Sequence, residues 1–195
     1  DCAVWGRASE ALSRLAELLR GARTAKRDQA VRERLDQAAE RRRAEDEAFA
    51  EAVGADLNRG RLSAAAMISE VARAAPKEAA VTSEIFSNTA HLLRCFDFRH
   101  PLDFLSARGG GIGQAIPSAI GLSLAQPNRP ILAFTGDGSA LYTIQALWTA
   151  AQHELPIVAV VLNNGGYGIL KSGFDYYRDR RNLPALTAYP NLELE

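Results

Sequence analysis

The sequence predicts an α/β fold, in which a parallel β-sheet carries helices on both faces and a helical segment precedes it. The sheet is predicted by short apolar stretches, such as Ile131–Thr135 and Ile157–Leu162, that alternate with helical patterns between residues 63 and 164. Strands that are apolar throughout are typical of parallel sheets covered on both sides. The preceding segment, residues 7–53, is rich in Ala, Glu and Arg and contains no Pro.

The composition limits the classes of protein that this chain can represent. Its 195 residues, 47% hydrophobic and 24% charged, can bury an ordinary core. Lys plus Arg and Asp plus Glu both number 23, which argues against a nucleic-acid partner. No apolar run reaches the roughly 20 residues of a membrane span, and no signal-peptide pattern opens the chain. Cys2 and Cys95 form no CxxC motif, so a reducing, cytoplasmic location is expected.

Two helices are predicted before residue 60. Leucines at helical spacing over residues 12–19 indicate a first helix that Gly21 ends. Residues 28–53 indicate a second, highly charged helix. Its Arg41–Arg43 run is surrounded by acidic residues, which is typical of a solvated helix face rather than of a nucleic-acid contact. The chain changes character near residue 60.

The remaining elements follow in the order that a parallel sheet requires. Ser63 is expected to cap a helix that runs to about Ala75, with Pro76 beyond its end. The later pattern predicts strands over 79–82, 102–106, 131–135 and 157–162, and helices over 88–96, 115–125 and 139–153. Pro117 is compatible with a helix because it falls in the first turn.

The first motif with chemical meaning is Gly-Asp-Gly-Ser at 136–139, between a predicted strand and a predicted helix. Ligands of open α/β sheets bind beyond the carboxyl ends of the strands. Glycines allow close approach of the backbone, and a helix N-terminus offers N–H groups to phosphate. Asp137 could hold a divalent cation there, although Asp-Gly is also ordinary turn chemistry.

A second polar pair, Asn163 and Asn164, follows the next strand 27 positions after Asp137. The strands should be neighbours, so both polar ends should meet at one edge of the sheet. An Asp carboxylate, an Asn amide oxygen and a backbone carbonyl from residues 165–166 form the kind of oxygen set that Mg²⁺ prefers. The spacing therefore predicts a magnesium and phosphate site.

These two motifs at this spacing resemble the cofactor signature of enzymes that use thiamine diphosphate (ThDP). The resemblance extends over residues 62–172 and includes the glycine-rich segment 109–121. Residues 139–156 are especially similar to benzoylformate decarboxylase. The resemblance implies the ThDP-binding fold for residues 61–195, as a diphosphate- and Mg²⁺-binding domain that is cut at its C-terminal side. It also implies that residues 1–60 are the end of a central domain plus a linker.

The resemblance implies roles for ten residues. Asp137 and Asn164 would bind Mg²⁺ through their side chains, and Gly166 would do so through its backbone oxygen. The backbone N–H groups of Gly138 and Ser139 would meet the diphosphate.

The other five implied positions concern the cofactor alone. The Gly110 carbonyl would accept a hydrogen bond from the aminopyrimidine. Ile112 would hold the cofactor bent, or would belong to the ordinary core. Ser87 and Asn88 would lie near the diphosphate. Tyr167 would either reach the diphosphate or only pack.

The function that follows from the resemblance is that of a ThDP-dependent 2-oxo acid decarboxylase or carboligase. In that family the glutamate that activates the pyrimidine ring lies in a pyrimidine-binding domain of a partner subunit. No catalytic residue is therefore expected in this chain, which should be inactive alone. The full-length protein should be a homo-oligomer, a dimer or a tetramer.

Three alternatives remain open at this point. Acetolactate synthase-like carboligation would use the same cofactor site, and a non-catalytic assembly module would share the fold. A plain nucleotide-binding protein is disfavoured because the glycine run fits neither G-x-G-x-x-G nor G-x-x-x-x-G-K-[ST]. Substrate choice would depend on residues 165–174. There Ile169 and Leu170 would narrow the acyl pocket, whereas Ser172 and Gly173 would widen it.

Overall fold

The computed structural model describes residue 3 and residues 5–194, which divide into two compact units, Asp1–Ala52 and Val53–Glu195. The boundary predicted after residue 60 stays a prediction, as does the assignment of residues 1–60 to a linker.

The first unit consists of helix α1 (Ala8–Gly21) and most of helix α2 (Ala25–Asn58). Both predicted helices are confirmed, with α2 longer at each end. None of the described residues in Asp1–Ala52 is buried. The leucine stripe of α1 is exposed accordingly, with half or more of each side chain accessible at Leu12, Leu15, Leu18 and Leu19. Across the described residues, no helix combines the length and the apolar character that a bilayer crossing needs.

The second unit is built on a four-stranded parallel sheet. Its strands are β1 (Ala80–Glu84), β2 (Phe104–Ser106), β3 (Ile131–Gly136) and β4 (Ile157–Leu162), in the spatial order β2-β1-β3-β4. The register pairs Thr82 of β1 with Ala133 of β3, and Ala133 with Ala159 of β4.

Helices cover both faces of this sheet, as the sequence predicted. The helices of this unit are α3 (Ala64–Ala74), α4 (Thr89–Cys95), α5 (Ala115–Ala125), α6 (Asp137–Thr143), α7 (Ala146–Gln152) and α8 (Gly168–Arg180). Val81 and Phe134 face α3 and α4, while Ala80 and Ala133 face α5. Successive strand residues point to opposite faces, so Ala80 and Val81 of β1 and the apolar residues of β3 fill two cores, one on each face.

Strand β4 differs from the prediction of a buried strand. It lies at the edge of the sheet in the described structure, and it is covered only in part. Val158 is 57% exposed and Val161 is 40% exposed, on opposite faces. An apolar run indicates a strand, but it does not reveal which strands have neighbours on both sides.

Other boundaries also differ from the prediction, and strand β2 begins at Phe104, two residues after its predicted start. Strand β1 continues two residues beyond the predicted end, through Ser83 to Glu84. The single helix predicted over 139–153 is two helices, because Ile144 and Gln145 form tighter i→i+3 hydrogen bonds between α6 and α7.

The chain after β4 contains structure that the sequence pattern did not indicate. Helix α8 follows directly on residues 163–167, the segment that contains the predicted site residues Asn164, Gly166 and Tyr167. Residues 191–194 return to that segment. The Tyr167 N–H donates to the Leu192 carbonyl at 2.9 Å, and the Leu194 N–H donates to the Gly165 carbonyl at 2.8 Å. These hydrogen bonds hold the backbone of Gly165 and Tyr167 against residues 192–194.

Candidate functional site

A cavity of about 80 Å³ lies at the carboxyl ends of β1, β3 and β4. Its walls come from the ends of the strands, the 3₁₀ turn Phe86–Asn88, and the starts of α6 and α8. The loop of residues 109–113 before α5, the glycine loop, also contributes. Nine of the ten residues predicted from the sequence line it: Ser87, Asn88, Ile112, Asp137, Gly138, Ser139, Asn164, Gly166 and Tyr167.

Asp137 and the Asn163–Asn164 pair meet across the ends of β3 and β4. One oxygen of Asp137 accepts a hydrogen bond from the Gly165 N–H at 2.8 Å. That same N–H also reaches the Asn163 side-chain oxygen at 3.0 Å, and the Asn164 side-chain oxygen accepts from the Gly166 N–H at 3.2 Å. The parallel register brings this about, since Gly136 pairs with Leu162 and both strands end together.

Gly138 and Tyr167 are in close contact on the cavity wall. A Cβ atom on Gly138 would stand 2.7 Å from Tyr167 Cε1, closer than real Cβ contacts. Burial raises the pKa of the Tyr167 phenol, and Tyr142 and Asp137 act in the same direction. Tyr167 therefore stays protonated at neutral pH, packs on the start of α6, and lines the cavity. Of the two roles predicted for it, packing is observed directly.

The start of α6 presents backbone to the cavity. Asp137 is the first residue of α6, Gly138 and Ser139 follow, and no side chain caps this end of the helix. The first N–H groups of a helix lack partners within it, and they carry partial positive charge. The cavity thus has a wall that suits an anion beside the Asp137 carboxylate.

Ile112 and Gly110, both in the glycine loop, differ in their exposure and in their contact with the cavity. Ile112 is half-buried and lines the cavity. Gly110 is exposed and does not contribute to the wall. The implied contact between its carbonyl and an aminopyrimidine therefore stays a prediction.

Glu84 is the residue that sequence reasoning missed. It is 2% exposed, ends β1 and lines the cavity. Its carboxylate accepts hydrogen bonds from the N–H groups of Gly113, Gln114 at 2.6 Å and Ala115 at 2.8 Å. The signal was an acidic residue at the end of an apolar strand, two positions past the predicted boundary.

The oxygen donors at this edge fit one hard cation whose remaining coordination positions are filled by a phosphate. In the described part of the chain, no group of three or more His, Cys, Asp or Glu could hold a metal. Asp137, Asn164 and the Gly166 backbone are a different set, with one carboxylate, one amide and one carbonyl. Mg²⁺ is commonly bound by one or two carboxylates together with substrate phosphates and water. These residues therefore fit Mg²⁺ only when a phosphate ligand accompanies it.

The size of the cavity sets a second condition. Sites that enclose a drug-sized molecule measure roughly 300–1,000 Å³, whereas this cavity measures about 80 Å³. It can enclose one end of a cofactor, such as a diphosphate group, and the other end must extend beyond it.

The family is established by comparison with known proteins. Residues 84–186 match the model of the thiamine pyrophosphate enzyme, C-terminal TPP binding domain, where thiamine pyrophosphate is another name for ThDP. This chain belongs to that family. The fold of the second unit and the residues around the cavity agree with this membership.

The similar proteins include decarboxylases and synthases. Benzoylformate decarboxylase of Pseudomonas aeruginosa is 40% identical over 97 residues, which are 50% of this chain and 18% of that protein. The acetolactate synthase large subunit of Buchnera aphidicola is 31% identical over 138 residues, which are 70% of this chain and 24% of that protein. This chain thus spans at most about a quarter of these relatives.

Solved structures give the same result. The crystal structure of benzoylformate decarboxylase from Polynucleobacter necessarius matches with a TM-score of 0.59 and 30% identity, over 68% of this chain and 24% of that one. A ThDP-dependent 4-hydroxybenzoylformate decarboxylase from Rhodococcus jostii matches with a TM-score of 0.60 and 34% identity over the same shares.

Proposed function

We propose that this chain is the C-terminal, cofactor-binding portion of a ThDP-dependent 2-oxo acid decarboxylase or carboligase, similar to benzoylformate decarboxylase. The observation that carries the proposal is the hydrogen bond from Gly165 N–H to Asp137, which joins the ends of β3 and β4. It brings a carboxylate, an amide side chain and the uncapped start of α6 to one cavity. Ligands for a cation and for a diphosphate are therefore close together among the described residues.

In this proposal the residues of the chain bind and orient the cofactor. Asp137, Asn164 and the Gly166 carbonyl hold Mg²⁺, while the N–H groups of Gly138 and Ser139 meet the diphosphate. Asn88, Ser87 and the Tyr167 hydroxyl close the cavity around it. ThDP, when bound, supplies a carbanion that adds to a ketone and an electron sink for the loss of carbon dioxide.

The bend of the cofactor is assigned to Ile112, which lines the cavity from the glycine loop. Its half-buried position favours contact with a ligand over a purely structural role. Gly110 lies further out on the same loop. We assign its carbonyl to the pyrimidine end, which must extend beyond so small a cavity.

The catalytic base is proposed to come from elsewhere. A glutamate in the pyrimidine-binding domain of a partner subunit would activate the cofactor, in a homo-oligomeric dimer or tetramer. Exposed apolar side chains beside the cavity support a partner there, since Ile169, Leu170 and Phe174 are each about half exposed. A cytoplasmic location belongs to the proposal, and it rests on the sparse cysteines.

Acetolactate synthase-like carboligation is the second candidate. It is supported by the similarity to acetolactate synthase subunits over 70% of this chain. Both candidates need the same cofactor site, and they differ in the acyl pocket near α8. A non-catalytic assembly module is the third candidate, and the intact set of Asp137, Asn164 and Ile112 argues against it.

The test is a calorimetric titration of this chain with ThDP and Mg²⁺, together with assays of carbon dioxide release from pyruvate and benzoylformate. We expect weak binding that requires Mg²⁺, because immobilising a ligand costs on the order of 4–15 kcal/mol and the proposed partner domain would supply many of the cofactor's contacts. We expect no turnover, since loss of a positioned acid–base group typically costs about 10²–10⁴-fold. Sub-micromolar binding with turnover would show that the chain needs no partner domain. No Mg²⁺-dependent binding at any concentration would contradict the site itself.

A further inference from the structure

The Glu84 carboxylate is held entirely by backbone N–H groups. It is buried at the end of β1, and it accepts from three consecutive residues, Gly113, Gln114 and Ala115. No ion pair among the described residues includes Glu84. A buried charge without a cation needs such donors, and hydrogen bonds to charged groups are the strong ones.

Gln114 extends this anchor along the glycine loop. Its backbone N–H is bound by Glu84, and its side-chain oxygen accepts from the Arg108 N–H at 3.1 Å. Its side-chain amide donates to the carbonyls of Arg108 at 3.0 Å and Gly111 at 3.1 Å. Glu84 and Gln114 therefore fix both ends of the segment that contains Gly109 and Gly110.

The loop depends on such an anchor. Gly109, Gly110 and Gly113 have φ values of +69°, +71° and +89°. Glycine adopts this conformation at no steric cost, but it also has the greatest freedom to leave it. One further tie holds the loop: the Thr143 hydroxyl donates to the Gly113 carbonyl at 2.9 Å. Without Glu84 the position of Ile112 in the cavity would rest on this bond and on Gln114.

We infer that Glu84 is a positioning residue, which holds the glycine loop so that Ile112 meets the cofactor, while contributing nothing to the diphosphate contacts. This inference rests on the proposed function, because it concerns the same cavity. It divides the cavity into a phosphate half, at α6 and Asn164, and a loop half, whose position depends on Glu84.

The first experiment needs no cofactor. Hydrogen exchange of the free chain is compared with that of Glu84→Gln, whose amide oxygen accepts fewer bonds than a carboxylate. We expect the amides of Gly113, Gln114 and Ala115 to exchange at least about tenfold faster. The matched control is Glu78→Gln, an exposed acid before the other end of β1, which should leave these amides unchanged. Unchanged protection in Glu84→Gln would overturn the inference, whatever the chain binds.

The second experiment compares two probes, ThDP and inorganic diphosphate, each with Mg²⁺. Glu84→Gln should reduce the affinity for ThDP about tenfold and leave the affinity for diphosphate within about twofold. A merely structural role would reduce both affinities together, and that result would overturn the inference. If the wild-type chain binds neither probe, the proposed function fails, while the exchange result still decides the role of Glu84 in the loop.

A second pair of variants keeps Glu84 intact, in case Glu84→Gln does not fold. Ile112→Ala should lose the same preference for ThDP over diphosphate while the amides of residues 113–115 stay protected. Gln114→Ala should speed exchange at the Arg108 amide alone. Retention of the ThDP preference in Ile112→Ala would show that the loop does not reach the cofactor, and the inference would then be wrong.

Discussion

The parallel sheet has an amino edge, where its strands begin, and a carboxyl edge, where they end. At each edge a carboxylate accepts hydrogen bonds from backbone N–H groups, but the two carboxylates have different surroundings. At the amino edge, Asp103 accepts from the N–H groups of Arg99 at 2.8 Å and His100 at 2.6 Å, and Arg129 donates to it at 2.6 Å. At the carboxyl edge, Glu84 accepts only from backbone N–H groups and faces the cavity. Each carboxylate organises a loop, but only the first is neutralised by a cation.

The difference suggests that the amino edge stabilises the fold, whereas the carboxyl edge forms the candidate site. Arg129 also donates to the Glu78 carbonyl at 2.6 Å and to the Gln126 side chain at 3.0 Å. It therefore connects the segments that enter β1, β2 and β3. The carboxyl edge has no comparable ion pair across its strand ends among the described residues. Its carboxylates accept only from backbone N–H groups, and Asp137 and Asn164 line the cavity.

The largest expected effect is on ligand binding at the carboxyl edge. Asp137→Ala should reduce Mg²⁺-dependent binding of ThDP by at least about 100-fold, since even the residues that support metal ligands contribute about 10–100-fold. Its melting temperature should change by less than about 3 °C, roughly 1 kcal/mol for a chain of this size. Calorimetric titration and thermal unfolding measure the two quantities.

The matched control for this prediction is Asn163→Ala. Asn163 shares the Gly165 N–H with Asp137 but does not line the cavity. Its loss should leave binding within a few-fold of the wild-type value. Equal losses in both variants would mean that the turn at Gly165 matters and the carboxylate does not.

At the amino edge the expected effect is on stability. Asp103→Asn should lower the melting temperature by on the order of 10 °C, because removing one partner of a largely buried pair leaves the other uncompensated. The side chains of Asp103 and Arg129 are only 11% and 21% exposed. Affinity for ThDP should not change. The control is Asp97→Asn, which breaks an exposed pair with Arg99 and should cost little.

The same pair predicts a dependence on pH. The hydrogen bond from Arg129, followed by those from the His100 and Arg99 N–H groups, lowers the pKa of Asp103 from 3.8 to about 2. A carboxyl group whose pKa is lower in the folded state stabilises it above the unfolded pKa. That stabilisation is lost as the pH falls from about 4 to about 2. The difference in melting temperature between wild type and Asp103→Asn should therefore narrow over that range. A constant difference would contradict the assignment.

A smaller effect is expected from the close contact on the cavity wall. Gly138→Ala should destabilise the chain by about 1–3 kcal/mol, the usual cost of overpacking, because the new methyl group meets the Tyr167 ring. Urea unfolding measures this. Gly121→Ala in helix α5, where the added Cβ would meet no neighbouring side chain or segment within 4 Å, should instead be stabilising by up to about 1 kcal/mol. A destabilised Gly121→Ala would indicate that helix α5 is more tightly packed than described.

The smallest effect is expected at the edge strand. Val158→Thr should change the free energy of unfolding by less than about 0.5 kcal/mol, because Val158 is 57% exposed. The equivalent Val81→Thr in β1, where the side chain is 0% exposed, should cost at least about 1 kcal/mol by burying a hydroxyl. Urea unfolding of the two variants tests whether β4 is really an edge. A large loss at Val158 would mean that β4 is covered in solution.

The sequence by itself determined the class of fold and most of the candidate site. Apolar runs and helical periods located all four strands, and β4 and α5 have the predicted bounds. The site motifs could be recognised in the sequence because neighbouring parallel strands end at the same edge of the sheet. The polar segments of Asp137 and Asn164, 27 positions apart, therefore had to meet there. Local chemistry also sufficed for Ser63, whose side chain accepts from the Ala66 N–H at 3.2 Å as an N-cap.

Only the tertiary structure decided what depends on contacts between distant segments. The hydrogen bonds of Glu84 span 29 to 31 positions, and nothing in the strand pattern distinguishes this acid from a solvated one. The ion pair of Asp103 with Arg129, the exposure of β4 and the return of residues 191–194 share that property. Periodicity reports which face of an element is apolar, whereas the partner of a polar group is set by the packing of elements that are far apart in the chain.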